Sequence, residues 1–313
     1  MAKRTPSTIN LLLAVDKPVG CTSHDVVARV RRALSERRVG HAGTLDPLAS
    51  GVMVVGVGQA TRLLGRVTLD TKSYIADIAF GCETNTDDAE GEPTRVVAPE
   101  AKLLDEAFAC EAVAASVGPQ QQVPPAFSAI SVNGVRAYRR AREGEDVELP
   151  ARDVTVYAAD LIAVGEVDGA PVWTVAYTVS KGTYIRALAR DLGRAVGGAA
   201  HVASLRRTAS GCVTLASCAD LDGLDEAAAR EHMLDPVQVL GCPAIEVPER
   251  FDEDIRCGRR LPTALVASAT APVGEGESVA LVRAGELLAI ARFEGGRLAM
   301  SDVFPQPIGG VCL

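Results

Sequence analysis

Residues 40–51 of the chain read GHAGTLDPLASG and place one carboxylate, Asp46, in a glycine-rich segment. Pro47 disfavours the helical conformation for the residue before it, so Asp46 is biased towards an extended backbone. Glycines in this segment permit tight turns and the close approach of a ligand. An isolated Asp-Pro pair is most often a turn in which the carboxylate bonds its own backbone. The segment alone therefore leaves a structural and a functional interpretation open.

The elements on either side of this segment follow from hydrophobic spacing. Residues 11–15 form an apolar run that predicts a short buried strand. Thr22 or Ser23 is a suitable cap for a helix, and apolar residues over 26–34 recur at helical spacing on one face. Residues 52–57 predict a second strand. Asp46 is thus expected on the connection between a helix and a strand.

The rest of the chain continues as alternating strands and helices and then changes character. Short apolar runs divided by Gly and Pro begin near residues 243–248, which predicts a small β-rich domain over 246–313 after a larger domain over 1–245. The larger domain is predicted to contain a strand over 72–80, an acidic loop over 83–92, a helix near 100–116, an irregular segment with three prolines over 119–128, strands over 154–164 and 172–179, and a helix over 184–196.

Length and composition predict a soluble globular protein. The chain has 313 residues, 48% of them hydrophobic and 23% charged, which is enough for two domains. The early apolar run over 9–15 is interrupted by Asn10, is too short to span a membrane and lacks a signal-peptide cleavage pattern. We expect a cytoplasmic protein with no membrane partner.

The cysteines and histidines do not have the spacing of a metal site. Eight cysteines are scattered along the chain without a C-x-x-C pair, and the four histidines form no H-E-x-x-H motif. We therefore expect neither a zinc site nor a disulfide framework, and most of these thiols are expected to be small buried groups.

The net charge of −8 argues against a nucleic-acid partner, but the distribution of charge does not. Acidic residues concentrate over 83–92 and in the last seventy residues or so, whereas arginines form clusters elsewhere. These clusters leave open both a basic groove and a set of solvated helix faces. They are Arg29, Arg31, Arg32, Arg37 and Arg38; Arg136, Arg139, Arg140 and Arg142; and Arg206 and Arg207.

Several motifs in a fixed order resemble the TruB-type tRNA pseudouridine synthases over most of residues 11–210. They are DKPVGCTS at 16–23, the Asp46 segment, KSY at 72–74, VPPAFSA at 123–129 with GVRAY at 134–138, SKGTYIR at 180–186 and LRRT at 205–208. The resemblance implies an α+β pseudouridine-synthase fold with a mixed, largely antiparallel central sheet and flanking helices. It also implies a small β-rich, PUA-like domain at the C-terminal end.

The resemblance assigns the reaction to three residues. Asp46 corresponds to the catalytic aspartate of the family, and Arg186 to the arginine that pairs with it. Tyr74 corresponds to the tyrosine that stacks on the target base, and its hydroxyl is a candidate to assist proton removal from C5. A surface arginine is the alternative interpretation of Arg186, whereas pattern alone favours Tyr74 as a residue on the core face of its strand.

Three further residues are implied to bind substrate. His41 corresponds to the family histidine that fills the space left by the extruded base, although a lone histidine is more often a polar turn residue. Tyr184 and Leu205 correspond to residues that line the base pocket, and either one also fits a core position.

The chemistry explains why one carboxylate can suffice. Isomerisation of uridine breaks the C1′–N1 bond, rotates the uracil and rejoins it through C5. A retaining glycosidase needs two carboxylates because its leaving group departs and a water molecule must be activated. Here the base returns to the sugar. Attack at C1′, addition at C6 and proton abstraction at C2′ all remain open for Asp46.

The chain departs from the family pattern at two places. Ser131 stands where typical members have lysine, which puts a backbone contact at that point in doubt. The C-terminal segment 246–313 contains 7 Arg against 10 Asp plus Glu, although its residues 256–262 resemble the start of a PUA-like domain. A G-x-G at 56–58 lacks the third glycine and the downstream acid of a dinucleotide site, so that interpretation is rejected.

We expect this protein to isomerise uridine 55 in the T-arm of tRNA as a monomer, with no metal, organic cofactor or obligatory protein partner. One alternative is a non-catalytic tRNA-binding or tRNA-folding protein, for which Asp46 would be unnecessary. A second is an enzyme of the guide-RNA-dependent branch, which the 119–142 segment fits less well. A third is a nucleoside hydrolase, which would need a second carboxylate motif.

Overall fold

The structure is a computed structural model that describes residues 6–67, 70–128, 131–132, 135–136 and 149–313. For residues 131–132 and 135–136 it describes backbone strands only. The α-helices within these residues are α1 (Ser23–Ala33), α2 (Glu106–Ala114), α3 (Ile185–Ala195), α4 (Glu226–Glu231), α5 (Pro236–Leu240) and α6 (Asp252–Arg256).

The strands form two main sheets and two short hairpins. They are β1 (Leu11–Lys17), β2 (Val39–Ala42), β3 (Ala49–Val57), β4 (Thr71–Phe80), β5 (Cys82–Thr84), β6 (Pro93–Val96), β7 (Gly118–Gln122), β8 (Ser131–Val132), β9 (Val135–Arg136), β10 (Arg152–Val167), β11 (Ala170–Ser180), β12 (Ala200–Ser210), β13 (Val213–Thr214), β14 (Cys218–Asp220), β15 (Met233–Leu234), β16 (Ala244–Glu246), β17 (Leu261–Pro262), β18 (Ser278–Arg283), β19 (Glu286–Glu294) and β20 (Arg297–Gly309).

The larger sheet runs in the order β14-β1-β3-β12-β4-β11-β10-β7, and β2, β13 and β15 pair with strands on this path. The pairs β1–β14 and β3–β12 are parallel, and the other pairs of this sheet are antiparallel. The predicted mixed, largely antiparallel sheet is therefore confirmed. Every residue of β3 is buried, so this strand lies in the middle of the fold and brings the Asp46 loop to the sheet centre.

Helix α1 begins where its sequence predicts. The Thr22 side chain accepts a hydrogen bond from the backbone N–H of Asp25 at 3.1 Å, and the Asp25 carboxylate accepts one from the Thr22 N–H at 2.8 Å. This reciprocal capping box satisfies two backbone donors at the helix start. Val26, Val27 and Val30 are buried, so the predicted apolar face of the helix packs on the core.

The prediction of an irregular segment over 119–128 is wrong for residues 119–122, which belong to a strand. Strand β7 contains Pro119 and pairs antiparallel with β10, with Thr155 opposite the proline. Because β7 is the last strand of the sheet, the missing N–H of Pro119 does not interrupt a ladder on both sides. The proline therefore marked an edge strand.

The smaller sheet, in the order β16-β18-β19-β20-β17, confirms the β-rich C-terminal region. It shares an apolar core with the larger sheet, in which Leu12 and Val52 pack in one cluster with Val282 and Ile308. The second sheet begins with β16 at Ala244, within the range 243–248 where the sequence pattern changes and two residues before the predicted boundary at 245/246.

No helix among the described residues is long and apolar enough to cross a membrane.

Candidate active site

Asp46 lies in the loop that joins β2 to β3, and its side chain is about one third exposed (37%). The N–H of Gly20 donates to the carbonyl of Pro47 at 2.9 Å. The hydroxyl of Ser23 lies 3.0 Å from both the N–H and the carbonyl oxygen of Leu45. The turn and the helix start that follow β1 therefore hold the loop on both sides of Asp46.

Lys17, at the end of β1, also holds the loop that carries Asp46. Its side chain is fully buried, and its ammonium donates to the carbonyls of Ala49 at 2.6 Å and Pro47 at 3.3 Å. Burial lowers the pKa of Lys17. The sequence contained this lysine in its first motif, but only the fold shows that it binds the loop backbone.

Arg207 on β12 is the second buried cation of the loop. Its Nε donates to the Val52 carbonyl at 2.7 Å, and its Nη2 donates to the Gly43 carbonyl at 3.0 Å. Its neighbour Arg206 pairs with Asp16 at 2.5 Å. The interpretation of these arginines as a solvated helix face is wrong, because both lie on strand β12. There Arg207 binds the Asp46 loop and Arg206 pairs with Asp16 of β1.

Arg186, in the first turn of α3, lies against Asp46 as the resemblance implied. Its Nε is 2.9 Å from Oδ2 of Asp46, although the N–H is not directed at that oxygen, so the contact is an ion pair rather than a hydrogen bond. Its other nitrogens donate to the carbonyls of Thr86 at 2.6 Å and Phe127 at 3.0 Å, and Nη1 lies 3.3 Å from Asp88. Only 4% of the side chain is exposed, so the surface interpretation of Arg186 is wrong.

Arg186 is the first of three arginines at four-residue spacing on α3 that face the acidic segment. Arg190 pairs with Asp87 at 2.8 Å, and Arg194 pairs with Glu83 at 2.6 Å. The segment predicted as an acidic loop is therefore partly a strand, and its acids Glu83, Asp87 and Asp88 are buried because arginines of the helix neutralise their charges. The sequence carried a signal for this in the matched spacing of arginines on α3, but the pairing spans about a hundred residues.

Burial and pairing act in opposite directions on these acids. Burial raises the pKa of Asp87 from 3.8 to about 6, although Arg190 and Arg186 oppose the change. Hydrogen bonds from Arg194 and Arg95 lower the pKa of Glu83.

A cavity of about 270 Å³ opens on one side of Asp46, and we call it the first cavity. Tyr74 lies in its wall and is also part of the core, with 9% of its surface exposed. Tyr184 precedes α3, where its N–H donates to the side chain of Gln122 at 2.8 Å, and burial raises its pKa. The first cavity is lined by Gly43, Thr44, Leu45, Asp46, Ala49, Lys72, Tyr74, Gly182, Thr183, Tyr184, Ile185, Arg186, Leu205 and Arg207.

A second cavity, of about 900 Å³, also reaches Asp46 and Arg186. His41 on β2 lies in its wall, half-buried, with its Nδ1 buried and without a hydrogen-bond partner among the described residues. Burial lowers the pKa of His41, and its ring meets that of His24 edge to face at 5.9 Å. The second cavity is lined by Thr22, Ser23, His24, His41, Thr44, Leu45, Asp46, Pro47, Thr86, Asp88, Glu90, Phe127, Ser128 and Arg186.

The fold thus brings the other five predicted site residues around Asp46, four of them at the first cavity and His41 at the second. The side chains of Ser131 and Arg136, and the arginines at 139, 140 and 142, lie outside the described part of the chain.

Two family models match adjacent parts of the chain. The TruB family pseudouridylate synthase N-terminal domain matches residues 31–185, and the tRNA pseudouridylate synthase B C-terminal domain matches residues 186–240. The chain is 46% identical to the tRNA pseudouridine synthase B of Cutibacterium acnes, over 87% of this chain and 92% of that protein. It is 44% identical to the protein of the same name from Paenarthrobacter aurescens, over 95% and 93%.

These matches, with the fold and the arrangement around Asp46, define a pseudouridine synthase. Within that class the chain belongs to the TruB family.

Solved structures agree at the level of the fold. A chain of a Cbf5-Nop10-Gar1 complex is 26% identical with a TM-score of 0.64, over 95% of this chain and 84% of that one. A chain of an H/ACA RNP bound to a substrate RNA containing 2′-deoxyuridine has a TM-score of 0.66 at 24% identity, over 95% and 85%. The predicted pseudouridine-synthase fold is therefore confirmed.

Proposed function

We propose that this enzyme isomerises uridine 55 in the T-arm of tRNA to pseudouridine, with Asp46 as its catalytic residue. The observation that carries the proposal is the Asp46–Arg186 ion pair, 2.9 Å long, at the point where two cavities meet. Support also comes from two relatives that are named tRNA pseudouridine synthase B. The alignment with this chain covers more than nine tenths of the length of each.

The first cavity is the site of the target base. Its wall combines the ring of Tyr74 with the apolar side chains of Ile185 and Leu205. An aromatic face contributes about 1–3 kcal/mol to the binding of each stacked base. The apolar wall accepts either face of a uracil that rotates after C1′–N1 cleavage, and the Tyr74 hydroxyl supplies a polar group for proton removal at C5.

Asp46 is the single acid of the reaction. Arg186 holds its carboxylate at the cavity mouth, and the bonds from Lys17 and Arg207 keep the loop in one conformation. Such preorganisation removes the cost of arranging the carboxylate when the substrate arrives. Attack at C1′, addition at C6 and proton abstraction at C2′ are all compatible with this position.

The second cavity receives the part of the RNA loop from which the uridine is extruded. Extrusion costs a few kcal/mol of stacking. His41 offsets part of this cost by filling the vacated space with a planar ring, and burial favours its neutral form. The enzyme therefore recognises a folded T-arm, whose shape and backbone contacts supply the binding energy that places C1′ at Asp46.

The enzyme acts in the cytoplasm as a monomer, without metal, organic cofactor or protein partner. A role in a guide-RNA complex is less favoured, since the chain is 44–46% identical to bacterial tRNA enzymes and 26% identical to the Cbf5 chain. The C-terminal sheet, as a PUA-like domain, extends the RNA-binding surface.

The test uses purified protein and an unmodified T-arm stem-loop, with pseudouridine measured by chromatography. The wild type is expected to convert the stem-loop and to leave free uridine unchanged. Asp46→Asn removes the charge at nearly constant shape, so it should bind the stem-loop while kcat falls at least about 10³-fold. Asp160→Asn, at an exposed position on β10, is the matched control. Activity of Asp46→Asn within tenfold of the wild type, or comparable conversion of uridine, would contradict the proposal.

A further inference from the structure

We propose that Lys72 is an additional substrate-binding residue, whose ammonium group holds the RNA phosphate beside the target uridine at the first cavity. This inference rests on the proposed function, because it assigns the contact to the same bound nucleotide.

The position of Lys72 places it on the substrate side of β4. It precedes Tyr74 by two residues, and residues two apart on a strand share a face of the sheet. Both side chains line the first cavity together with Asp46. Gly43 lies beside the lysine, since a Cβ added at that glycine would be in ordinary van der Waals contact with Cε of Lys72, at 3.8 Å. A nucleotide whose base stacks on Tyr74 and whose C1′ lies at Asp46 therefore occupies a cavity that Lys72 also lines.

Positive charge accumulates on this wall. The guanidinium of Arg207 donates to backbone carbonyls and forms no ion pair with a described carboxylate. Burial and the like charge of Arg207 lower the pKa of Lys72 to about 8. The charge of Asp70 opposes this change. An anion bound here would relieve the repulsion between the two cations.

The charged and titratable groups that share the cavity with Lys72 or act on its charge are Asp46, Asp70, Tyr74, Lys181, Tyr184, Arg186 and Arg207.

The second cavity has the opposite character. Asp88 and Glu90 lie in its wall beside His24 and His41. Burial and the nearby charges of Asp88 and Asp46 raise the pKa of Glu90. Of the two cavities that meet at Asp46, the first is thus the one suited to a phosphate. Phosphates carry most of the contacts that position a nucleic acid on a protein, and lysine is a common partner.

A phosphate contact has a consequence for pH dependence. The free enzyme must carry a protonated Lys72 to bind, so kcat/KM should fall as the pH rises through about 8. In the complex the phosphate favours the charged ammonium, so kcat should change less over the same range.

The experiment compares wild type, Lys72→Met, Lys72→Arg and Lys102→Met on the T-arm stem-loop. Lys72→Met should raise KM about tenfold, as expected for one charge-assisted contact, and lower kcat much less. The slope of log affinity against log salt should become shallower by about 0.7, for one lost contact to single-stranded RNA. Lys72→Arg keeps its charge at every pH used, so it should retain a low KM and lose the fall in kcat/KM near pH 8. Lys102, on the surface and absent from both cavities, is the matched lysine and should behave as wild type.

An unchanged KM and salt slope in Lys72→Met would overturn the inference. So would a loss confined to kcat in both Lys72 variants, which would make the neutral amine a proton acceptor. A wild type that forms no pseudouridine would instead refute the proposed function, so the two failures are distinguishable.

Discussion

Tyr74 shows how one residue serves the core and the site together. The alternation of β4 places it on the core face with Ala76, Ile78 and Phe80, and all four are buried. The same ring also lines the first cavity, together with Asp46. The core interpretation of Tyr74 is therefore correct for its position, while its stacking role stays a prediction.

Substitutions at Tyr74 separate the ring from its hydroxyl. Tyr74→Phe keeps the ring and should bind the stem-loop with wild-type affinity but turn over at least tenfold more slowly, if the hydroxyl assists at C5. Tyr74→Leu loses stacking worth about 1–3 kcal/mol and should weaken binding as well. Binding by fluorescence titration and single-turnover rates measure the two effects. The same pair of changes at Tyr157, exposed on β10, controls for the loss of any tyrosine. Wild-type kcat/KM in Tyr74→Leu would return Tyr74 to a core role alone.

At the scale of elements, α3 and the acidic segment from β5 onwards form one unit that orients Arg186. The helix supplies a row of arginines, and the segment supplies buried carboxylates, including Asp88 beside Arg186 itself. A buried arginine is costly unless its charge is neutralised. The acidic segment therefore determines the position of Arg186, the ion-pair partner of Asp46.

The two outer acids of this unit should respond to pH in opposite ways. The pKa of Asp87 is raised from 3.8 to about 6, so the folded state binds its proton more tightly and gains stability as pH falls from 8 to 4. The stability advantage of wild type over Asp87→Asn should then grow by up to about 3 kcal/mol over that range. Glu83 has a lowered pKa, so its contribution is complete above 4.5 and is lost only at lower pH.

Urea denaturation at pH 8, 6.5, 5 and 4 tests this contrast. The difference between wild type and Glu83→Gln should stay constant from pH 8 to pH 5, while that for Asp87→Asn increases. Parallel curves for the two variants would show that burial does not dominate at Asp87.

At the scale of the whole molecule, the two sheets are joined by a common core and by polar contacts. Arg62 lies 3.1 Å from Asp302 and stacks over Phe304, and the N–H of Gly309 donates to the carbonyl of Asn10 at 3.1 Å. Removal of residues 246–313 would expose the apolar surface of the larger sheet. Truncation would therefore lower stability as well as any affinity for RNA.

A substitution in the second sheet should consequently destabilise the first. Ile308→Ala removes a fully buried side chain from the shared core and should cost about 2–5 kcal/mol. Trp173, the one tryptophan of the chain, is buried in the core of the larger sheet and reports on that sheet alone. Its fluorescence transition in urea should shift together with the far-UV circular dichroism. Leu313→Ala, at an exposed position, is the control. A Trp173 transition unchanged by Ile308→Ala would show that the two sheets unfold independently.

Local pattern was sufficient for the features that depend on neighbours in the chain. The capping box at Thr22, the alternation over β4 and the apolar face of α1 each follow from spacings of two to four residues. The motifs and their order were sufficient for the family, and through it for the position of Arg186 beside Asp46.

Tertiary structure alone determined which charges are buried and what they bind. Lys17 and Arg207 hold the Asp46 loop from strands that are distant in sequence, and β7 became a strand because an edge was free for it. The environment of a charge depends on every element packed around it, whereas the spacing of side chains on a helix or strand depends only on backbone geometry. For this reason the sequence determined most of the elements and the family to which the Asp46 loop belongs, and the fold determined the two cavities, the buried cations and the shared core.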